Sequence, residues 1–555
     1  MSQFTLTNVS QILAQQVSES LACQVIDSSR PDCGALICST WGMNTPMHLD
    51  TASLIAGFAY LYLTTVKAYG HAPSVEDTTT LLNRAILAAD YLLRIQHANG
   101  LIDSPNYGHL PGIETTFAVQ QLCTILEFGR PLAKDNEVWR DFLKRLGQFV
   151  YRAVKGLLTI HADTCPYKWV IASALVQAKS VFSDLNIEDV LKSYLDAKDD
   201  ATHEESFIRY YTDFQDDVYN RSLLILNDYL GIPKFQEAVE SNLNFNLYLF
   251  HANGTIETDW GNYKKENNHG HSNACIDAIE NKRDNQNNVP LGLAVSYLHS
   301  AYLNPNPSFV GAAHALWNSR KSHGLSNLNW LCYILLRYGE PLSASESIPY
   351  NYAKYFPNNG LWRVRHGLLS ASFFRGNVNL LKLQYGHAKL NNLHVKQYYF
   401  GREYFVGDIF TVEGDTATFR SKHLRSEDIK HLLSGDDYTS ELIVQKVMGG
   451  FELRFRTLVH IEQVTIQIAF DFPEGGIWET ENMCLQPQAG QVLFLKQGLA
   501  TMRYKNDVIQ IGPGAMAHHI YHMEGVDSSP HNVRVLFTFV TPVDHRFSIR
   551  VYRGL

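Results

Sequence analysis

The apolar residues of this chain change their spacing once, near Pro341. Before that point they recur at helical intervals, as in LNRAILAADYLLRIQ, RDFLKRLGQFVYRAV, YNRSLLILNDYL and NLNWLCYILLRYG. After it, short segments alternate polar and apolar residues: LWRVRHG, LLSASFFRG, VNLLKLQYG, FELRFRTLVHI, VTIQIAFDFPEGG and VRVLFTFVTP. A period of about 3.6 buries one stripe of a helix, and a period of about two buries one face of a strand. Separate blocks of each make an α+β multidomain chain rather than a chain of βαβ units. Turn residues punctuate the second block about every eight to twelve positions, the pattern of an antiparallel β-sandwich. The expected boundaries are residues 1–345 for the helical domain, 346–360 for a linker and 361–555 for the sandwich, with Lys422 to Asp437 as an irregular excursion.

Within the helical block the punctuation repeats. His97-Ala-Asn-Gly, His161-Ala-Asp and His251-Ala-Asn-Gly each stand at a junction. Apolar helices are predicted to start near Pro46, Gly112, Pro166, Asp216, His271 and Asn327, with amphipathic helices between them. Buried helices alternating with half-buried ones imply an inner and an outer layer. Closed on themselves, about six such hairpins make an (α/α) toroid; left open, they make a solenoid. In the toroid the polar loops that begin the inner helices gather at one mouth. That would bring Asn44, His48, Asp50, His109, Glu114, Tyr211, Asp213, Asp216, Asp217, Tyr263 and His269 around one cleft.

The net charge is −8 and there is no Lys/Arg block, which argues against nucleic acid and anionic membranes as partners. Eight scattered cysteines without a CxxC pair suggest free thiols in a reducing compartment. The N-terminal segment reads as no signal peptide, so a cytoplasmic location is expected. Aromatic residues make up 12% of the chain, which suits a protein that stacks rings on sugars and equally suits a β-rich core.

The most polar stretch of the helical block is HANGTIETDWGNYKKENNHGHSNA, His251 to Ala274. It gathers Glu257, Asp259, Trp260, Tyr263, Asn267, Asn268, His269 and His271 in a span with no core to offer, where chemistry or plain solvation is expected. NGTIETDWGNYKKENNHGHS resembles a segment of the heparinase II/III-like polysaccharide lyases, in which a turn and a Glu precede an active-site Tyr. The resemblance aligns Asn253-Gly254, Glu257 and Tyr263. It implies a toroid followed by a sandwich, and β-elimination from a uronic-acid-containing glycan. It also implies an Asn or His upstream, where this chain instead has Asp213, Asp216 and Asp217, and a His from the sheet domain, for which His366, His387 and His394 are candidates.

Such a lyase must fill three tasks: neutralise the substrate carboxylate, remove a weakly acidic proton, and protonate the leaving oxygen. The expected assignment is Tyr263 as acid, or as acid and base, and His269 or His387 as base. Asn267, Asn268 and Arg402 would hold the carboxylate, with Trp260, His109, Glu114 and Tyr211 lining the substrate path. A glycoside hydrolase is the competing enzyme reading. It needs two carboxyl groups, which Glu114, Asp213, Asp216, Asp217, Glu257 and Asp259 could supply. A non-catalytic carbohydrate-binding protein is the third. The aspartates at 213, 216 and 217 also suit helix capping, and the junction histidines suit structural hydrogen bonds. No cofactor is expected. A divalent metal is the remaining alternative, at His269-x-His271 or His518-His519-x-x-His522, and oligomeric state is not readable.

Overall fold

The computed structural model describes residues 4–40, 43–69, 75–102, 112–134, 136–160, 168–196, 214–257, 289–318, 324–340, 347–399, 402–422, 438–458, 462–521 and 531–554. Contacts divide the chain into two units, one of Met1–Leu247 and Gly270–Ile348, the other of Tyr248–His269 and Pro349–Leu555.

The described helices of the first unit are α1 (Leu6–Leu21), α2 (His48–Tyr69), α3 (Val75–Ile95), α4 (Ile113–Gly129), α5 (Glu137–Leu157) and α6 (Lys168–Val181). They continue with α7 (Glu188–Asp196), α8 (Phe214–Leu230), α9 (Pro233–Asn246), α10 (Val289–Leu303), α11 (Pro307–Asn318) and α12 (Leu325–Tyr338). A hairpin of β1 (Ile37–Thr40) and β2 (Met43–Pro46) leads into α2. The even-numbered helices each pack on the next, and α12 returns to α2, which closes a ring. The odd-numbered helices lie on the outside of that ring, α1 on α2 and α12, α3 on α2, α5 on α4, α7 on α6, α9 on α8, and α11 on α10.

Burial explains the alternation. In α4 every residue from Ile113 to Leu126 is buried except Phe117, as an inner helix requires. In α5 only one stripe is buried, from Trp139 through Phe142, Leu146, Phe149, Val150 and Ala153 to Leu157. Small polar groups stitch the inner helices together. Gln120 on α4 donates to Ser173 on α6 at 2.6 Å and to Ser222 on α8 at 3.1 Å. Gln121 donates to Ser53 on α2, and Asn329 on α12 donates to Gln121, both at 3.1 Å. Short side chains let the helices approach closely, and paired amides leave few buried groups unsatisfied.

Toward their C-terminal ends, four inner helices, α4, α8, α10 and α12, share one hydrogen-bonded network. Asp228 on α8 accepts from His299 Nε2 on α10 at 3.0 Å and from the hydroxyls of Tyr333 and Tyr338 on α12. The Trp330 indole donates to His299 Nδ1 at 3.3 Å. Arg337 reaches the Asp228 carbonyl at 3.3 Å and Glu127 of α4 at 3.4 Å. Inner helices that meet end to end in this way run parallel, so their N-terminal ends share the opposite pole. The helix expected to begin near His271 falls partly outside the described residues; the described inner helix there begins at Val289. Among the described residues one helix segment, His48–Lys67, is long and apolar enough to cross a membrane, and here it is an inner helix of the ring.

The second unit is built on β3 (Asn351–Phe356), β4 (Leu361–His366), β5 (Leu369–Phe374), β6 (Leu381–Tyr385), β7 (Ala388–Tyr399), β8 (Arg402–Tyr404), β9 (Ile409–Glu413), β10 (Thr416–Lys422) and β11 (Tyr438–Val447). It continues with β12 (Gly450–Thr457), β13 (Thr465–Pro473), β14 (Ile477–Thr480), β15 (Met483–Leu485), β16 (Val492–Phe494), β17 (Ala500–Tyr504), β18 (Asp507–Gly512), β19 (Asn532–Val540) and β20 (Asp544–Arg553). One sheet runs β16-β19-β13-β7-β6-β5-β4-β3, with β8 beside β7. The other runs β15-β14-β17-β18-β20-β12-β11-β10-β9. The core between them holds Trp362, Phe373, Leu393, Phe470 and Phe537 from the first sheet, and Phe419, Phe451, Phe455, Ile509 and Phe547 from the second.

Two expectations need correction. The segment read as a linker contains β3, an edge strand paired in register from Asn351↔His366 to Phe356↔Leu361. Its mixed exposure hides it, because an edge strand half in solvent has no reason to alternate apolar and polar residues. The polar stretch is expected to connect helices of the ring, but its described beginning, His251 to Glu257, belongs to the sandwich unit. The expected excursion after Lys422 lies outside the described residues.

Candidate functional site

At the N-terminal pole of the ring, the first turns of α2 and α4 bring His48 and Glu114 together. Glu114 Oε2 lies 3.8 Å from His48 Nδ1, and that nitrogen donates to the Ile102 carbonyl at 2.8 Å. Arg221, one turn further into α8, stacks over the Trp330 ring with its carbon 5.5 Å from the ring centre and reaches Ser326, at the start of α12. Burial lowers the Arg221 pKa to about 10, which still leaves it charged near neutrality. This cation beside the inner-helix starts was missed in the sequence, where it reads as a routine helix residue of YNRSLLILNDYL. Asp217 lies in the first turn of α8. His109, Tyr211, Asp213, Trp260, Tyr263, Asn267, Asn268 and His269 lie outside the described residues.

The described start of the polar stretch is pinned to the outer face of β4 and β5. His251 to Thr255 forms a closed turn: the His251 amide donates to the Thr255 carbonyl at 2.7 Å, and Gly254 donates to His251 at 3.1 Å. Asn253 Oδ1 accepts from the Thr255 amide, and Gly254 supplies φ +83°. His97-Ala-Asn-Gly makes the same turn in the ring, with the Asn99 side chain accepting from Leu101 and Gly100 at φ +91°. A four-residue word thus sets the local turn and leaves its surroundings open.

Those surroundings differ through Arg363. Its guanidinium is fully buried and donates to three successive carbonyls, Tyr248 at 3.0 Å, Leu249 at 3.2 Å and Phe250 at 3.1 Å. It also donates to Ser372 at 2.6 Å and Ser370 at 3.0 Å. Ser372 in turn donates to Glu257 Oε2 at 2.6 Å, and His251 Nδ1 meets Ser370 Oγ at 2.9 Å. Burial raises the Glu257 pKa, but the neighbouring His251, Lys382 and Arg363 and the Ser372 hydroxyl outweigh it and hold the carboxyl below its ordinary range. Burial and the Arg363 charge push His251 down to about 3, so its imidazole is neutral at pH 7. This cluster is saturated by its own partners. It fixes the backbone from Tyr248 to Glu257 on β4 and β5.

The three sheet histidines are not equivalent. His366 is exposed, and its Nδ1 meets the Asn351 side chain at 2.8 Å. His394 is 6% exposed, its Nδ1 has no hydrogen-bond partner, and Asp471 is 3.9 Å away. Burial pushes its pKa down to about 4, and a group sealed this way cannot meet a polymer. His387 differs from both. It sits in the two-residue turn Gly386-His387 that joins β6 to β7, where Tyr385 faces Ala388. Its backbone amide and its Nδ1 both contact Asp507 Oδ2 at 2.8 Å. Asp507 belongs to the other sheet, at the turn Lys505-Asn506 between β17 and β18. Lys505 Nζ lies 3.2 Å from His387 Nε2. The His387 side chain is 58% exposed and the Asp507 side chain 3%.

The chemistry follows from the donors. Burial works against the charge of Asp507, but the hydrogen bonds from the His387 amide and ring, the charge His387 carries when protonated, and Arg553 hold its carboxyl below the ordinary carboxylate range. An ionised carboxylate only accepts, so His387 Nδ1 carries the proton. Nε2 then presents its lone pair, and the Lys505 ammonium, which only donates, faces that lone pair. The Asp507 contact fixes the ring's orientation, and a general base at this position would work from the tautomer that leaves Nε2 unprotonated. Asp507 and Lys505 were missed in the sequence because they lie more than a hundred residues from His387 and carry no motif. Arg402 is in β8, beside β7, and its side chain lies outside the described residues. His518 is taken up by the sheet, its Nε2 3.3 Å from the Ile466 carbonyl. Among the described residues no group of three His, Cys, Asp or Glu side chains is arranged to hold a metal ion.

No family model matches the sequence, and no curated protein matches it. Solved structures do match. A heparinase III aligns over 98% of this chain and 85% of its own, with TM-score 0.54 and 9% identity. A mutant heparan sulfate lyase from Pedobacter heparinus aligns over 98% and 83%, with TM-score 0.51 and 8% identity. A Paenibacillus xanthan lyase aligns over 99% of this chain and 57% of its own, with TM-score 0.55 and 8% identity. At such identities the likeness is one of fold: this chain has the helical toroid and antiparallel β-sandwich found in these polysaccharide lyases.

Proposed function

We propose that the protein is a lyase that cleaves a uronic-acid-containing polysaccharide or oligosaccharide by β-elimination. The observation that carries this reading is His387, an accessible imidazole whose Nδ1 is tied to Asp507 at 2.8 Å and whose Nε2 faces the exposed Lys505 at 3.2 Å. The shared fold supports it, and so does the Tyr263 stretch, whose entry Arg363 anchors on the same unit. In the reaction His387 Nε2 takes the C5 proton of the uronate. The C5–H electron pair becomes the C4–C5 double bond as the C4–O bond breaks. The departing oxygen leaves with that bond's electron pair and takes the Tyr263 phenol proton. The His387 proton then returns to the phenolate through solvent, which restores the enzyme. The products are an unsaturated uronate and a free hydroxyl end.

Incubation with a panel of uronate glycans tests this. A new ultraviolet absorbance of the unsaturated uronate, rising in step with new reducing ends, is the expected result. Reducing ends without that absorbance would mean hydrolysis by a carboxyl pair, and binding without cleavage would mean a carbohydrate-binding protein.

A further inference from the structure

Two hairpin turns from opposite sheets meet at one point of the sandwich. The β6–β7 turn brings His387, and the β17–β18 turn brings Lys505 and Asp507. The fit between them is close. Gly386 has φ +55°, and a Cβ there would fall 2.3 Å from the Asp507 carboxylate. Lys505 itself adopts φ +54°, a left-handed conformation that L-residues seldom take. Asp507 is held from its other side by Arg553, whose Nε lies 3.5 Å from Oδ1.

We propose that His387, Asp507 and Lys505 form one proton-abstraction unit, in which Asp507 positions the imidazole and Lys505 binds the uronate carboxylate beside the base. The inference rests on the lyase reading and adds to it the cation that the reaction needs. The acidic hydrogen of a uronate is on C5, and its carboxylate is attached to that same carbon. A base nitrogen within reach of the hydrogen therefore has the carboxylate oxygens only a few ångströms away. A cation that serves that carboxylate must stand next to the base nitrogen, where Lys505 Nζ stands, 3.2 Å from Nε2. In the free protein the ammonium covers the lone pair. A bound carboxylate draws it off by a stronger, charge-assisted hydrogen bond. The uncovered lone pair then faces the C5 hydrogen, and the ammonium neutralises the charge that moves onto the carboxylate as the proton leaves. Lys505 is exposed and its stem is long, so the shift needs no backbone movement.

Three measurements test the unit. Nitrogen-15 spectra of the wild-type protein should show His387 with Nδ1 protonated and Nε2 bare. An Nε2–H tautomer would overturn the positioning role of Asp507. This readout needs neither a variant nor activity, so it stands even if no glycan is cleaved. Asp507→Asn should lower kcat by about 10²–10⁴-fold, the range a general base supplies, with KM nearly unchanged; an unchanged kcat would overturn the same role. For Lys505, rates are compared on an acid glycan and on its methyl ester. Lys505→Met should lose about 10²-fold on the acid and little on the ester, and Lys505→Arg should recover part of the loss. Equal losses on both substrates, or none, would overturn the carboxylate role. If the wild type cleaves no uronate, the lyase reading fails. Titration of a glucuronate tetrasaccharide and its methyl ester, followed at the His387 nitrogens in wild type and Lys505→Met, then decides whether Lys505 binds a carboxylate. The expected result is an acid-only shift that the variant lacks, and a shift shared by ester and variant would overturn it.

Discussion

Two histidine–aspartate pairs in this protein use the same chemistry to opposite ends. In the ring, His299 and Asp228 are both fully buried. Every strong site is occupied: His299 donates from Nε2 and accepts at Nδ1, and Asp228 takes in His299 and two tyrosine hydroxyls. On the sandwich, Asp507 is buried but His387 is more than half exposed, with Nδ1 fixed by Asp507 and Nε2 met by the exposed end of Lys505. A saturated pair holds helices together. A half-saturated pair is poised to exchange a proton. Access, rather than the identity of the pair, separates structure from chemistry here.

The largest contrast should come from removing each histidine. His387→Ala should lower kcat by about 10²–10⁴-fold while leaving the urea unfolding midpoint in place. His299→Ala should cost about 3–5 kcal/mol of stability, because it strands a buried carboxylate, and leave turnover per folded molecule intact. Initial rates and unfolding curves on both variants decide this; reversed effects would break the comparison. Arg363→Met sharpens it on the sandwich. Stranding three carbonyls and Glu257 should cost about 3–5 kcal/mol. It should also depress turnover by loosening the backbone from Tyr248 to Glu257, measured on protein shown to be folded.

Acid should act on the sandwich through two neutral histidines. His251 and His394 have folded pKa values pushed down from 6.5 to about 3 and about 4. Between those values and 6.5 the unfolded chain binds more protons than the folded one, so stability rises with pH across the window and falls on acidification. From pH 7 to pH 5 each histidine should cost about 2 kcal/mol. Glu257 and Asp507, held low in the fold, add a further loss below the ordinary carboxylate range. Urea midpoints at pH 7 and pH 5 measure this, and His394→Gln should flatten the dependence. The smallest effect is expected for Tyr338→Phe. It removes one hydrogen bond to the ring's buried Asp228 and should cost about 1.5–3 kcal/mol without changing activity.

The sequence carried the architecture because burial writes it locally. Inner helices such as α4 carry few charges and are buried nearly all round, and the sequence of core strands such as β13 alternates, so both layers announce themselves. The exposed edge strand β3 does not, and it was read as linker. His-Ala-Asn-Gly at 97 and 251 gave the same turn, but only long-range partners decide that the second copy lies under Arg363. The site shows the same division. His387 was visible as one of three sheet histidines. Its selection over His366 and His394 depends on exposure, and its partners Asp507 and Lys505 arrive from the other sheet by topology alone. Arg221 was hidden for the same reason, since the Trp330 ring beneath it belongs to a helix far along the chain.

The most direct measurement of the central claim is the product formed from a uronate glycan by wild type, Tyr263→Phe and His387→Ala. The account predicts unsaturated uronate from the wild type alone, with both variants folded and inactive. Saturated reducing ends from the wild type, or unsaturated product undiminished in either variant, would contradict it.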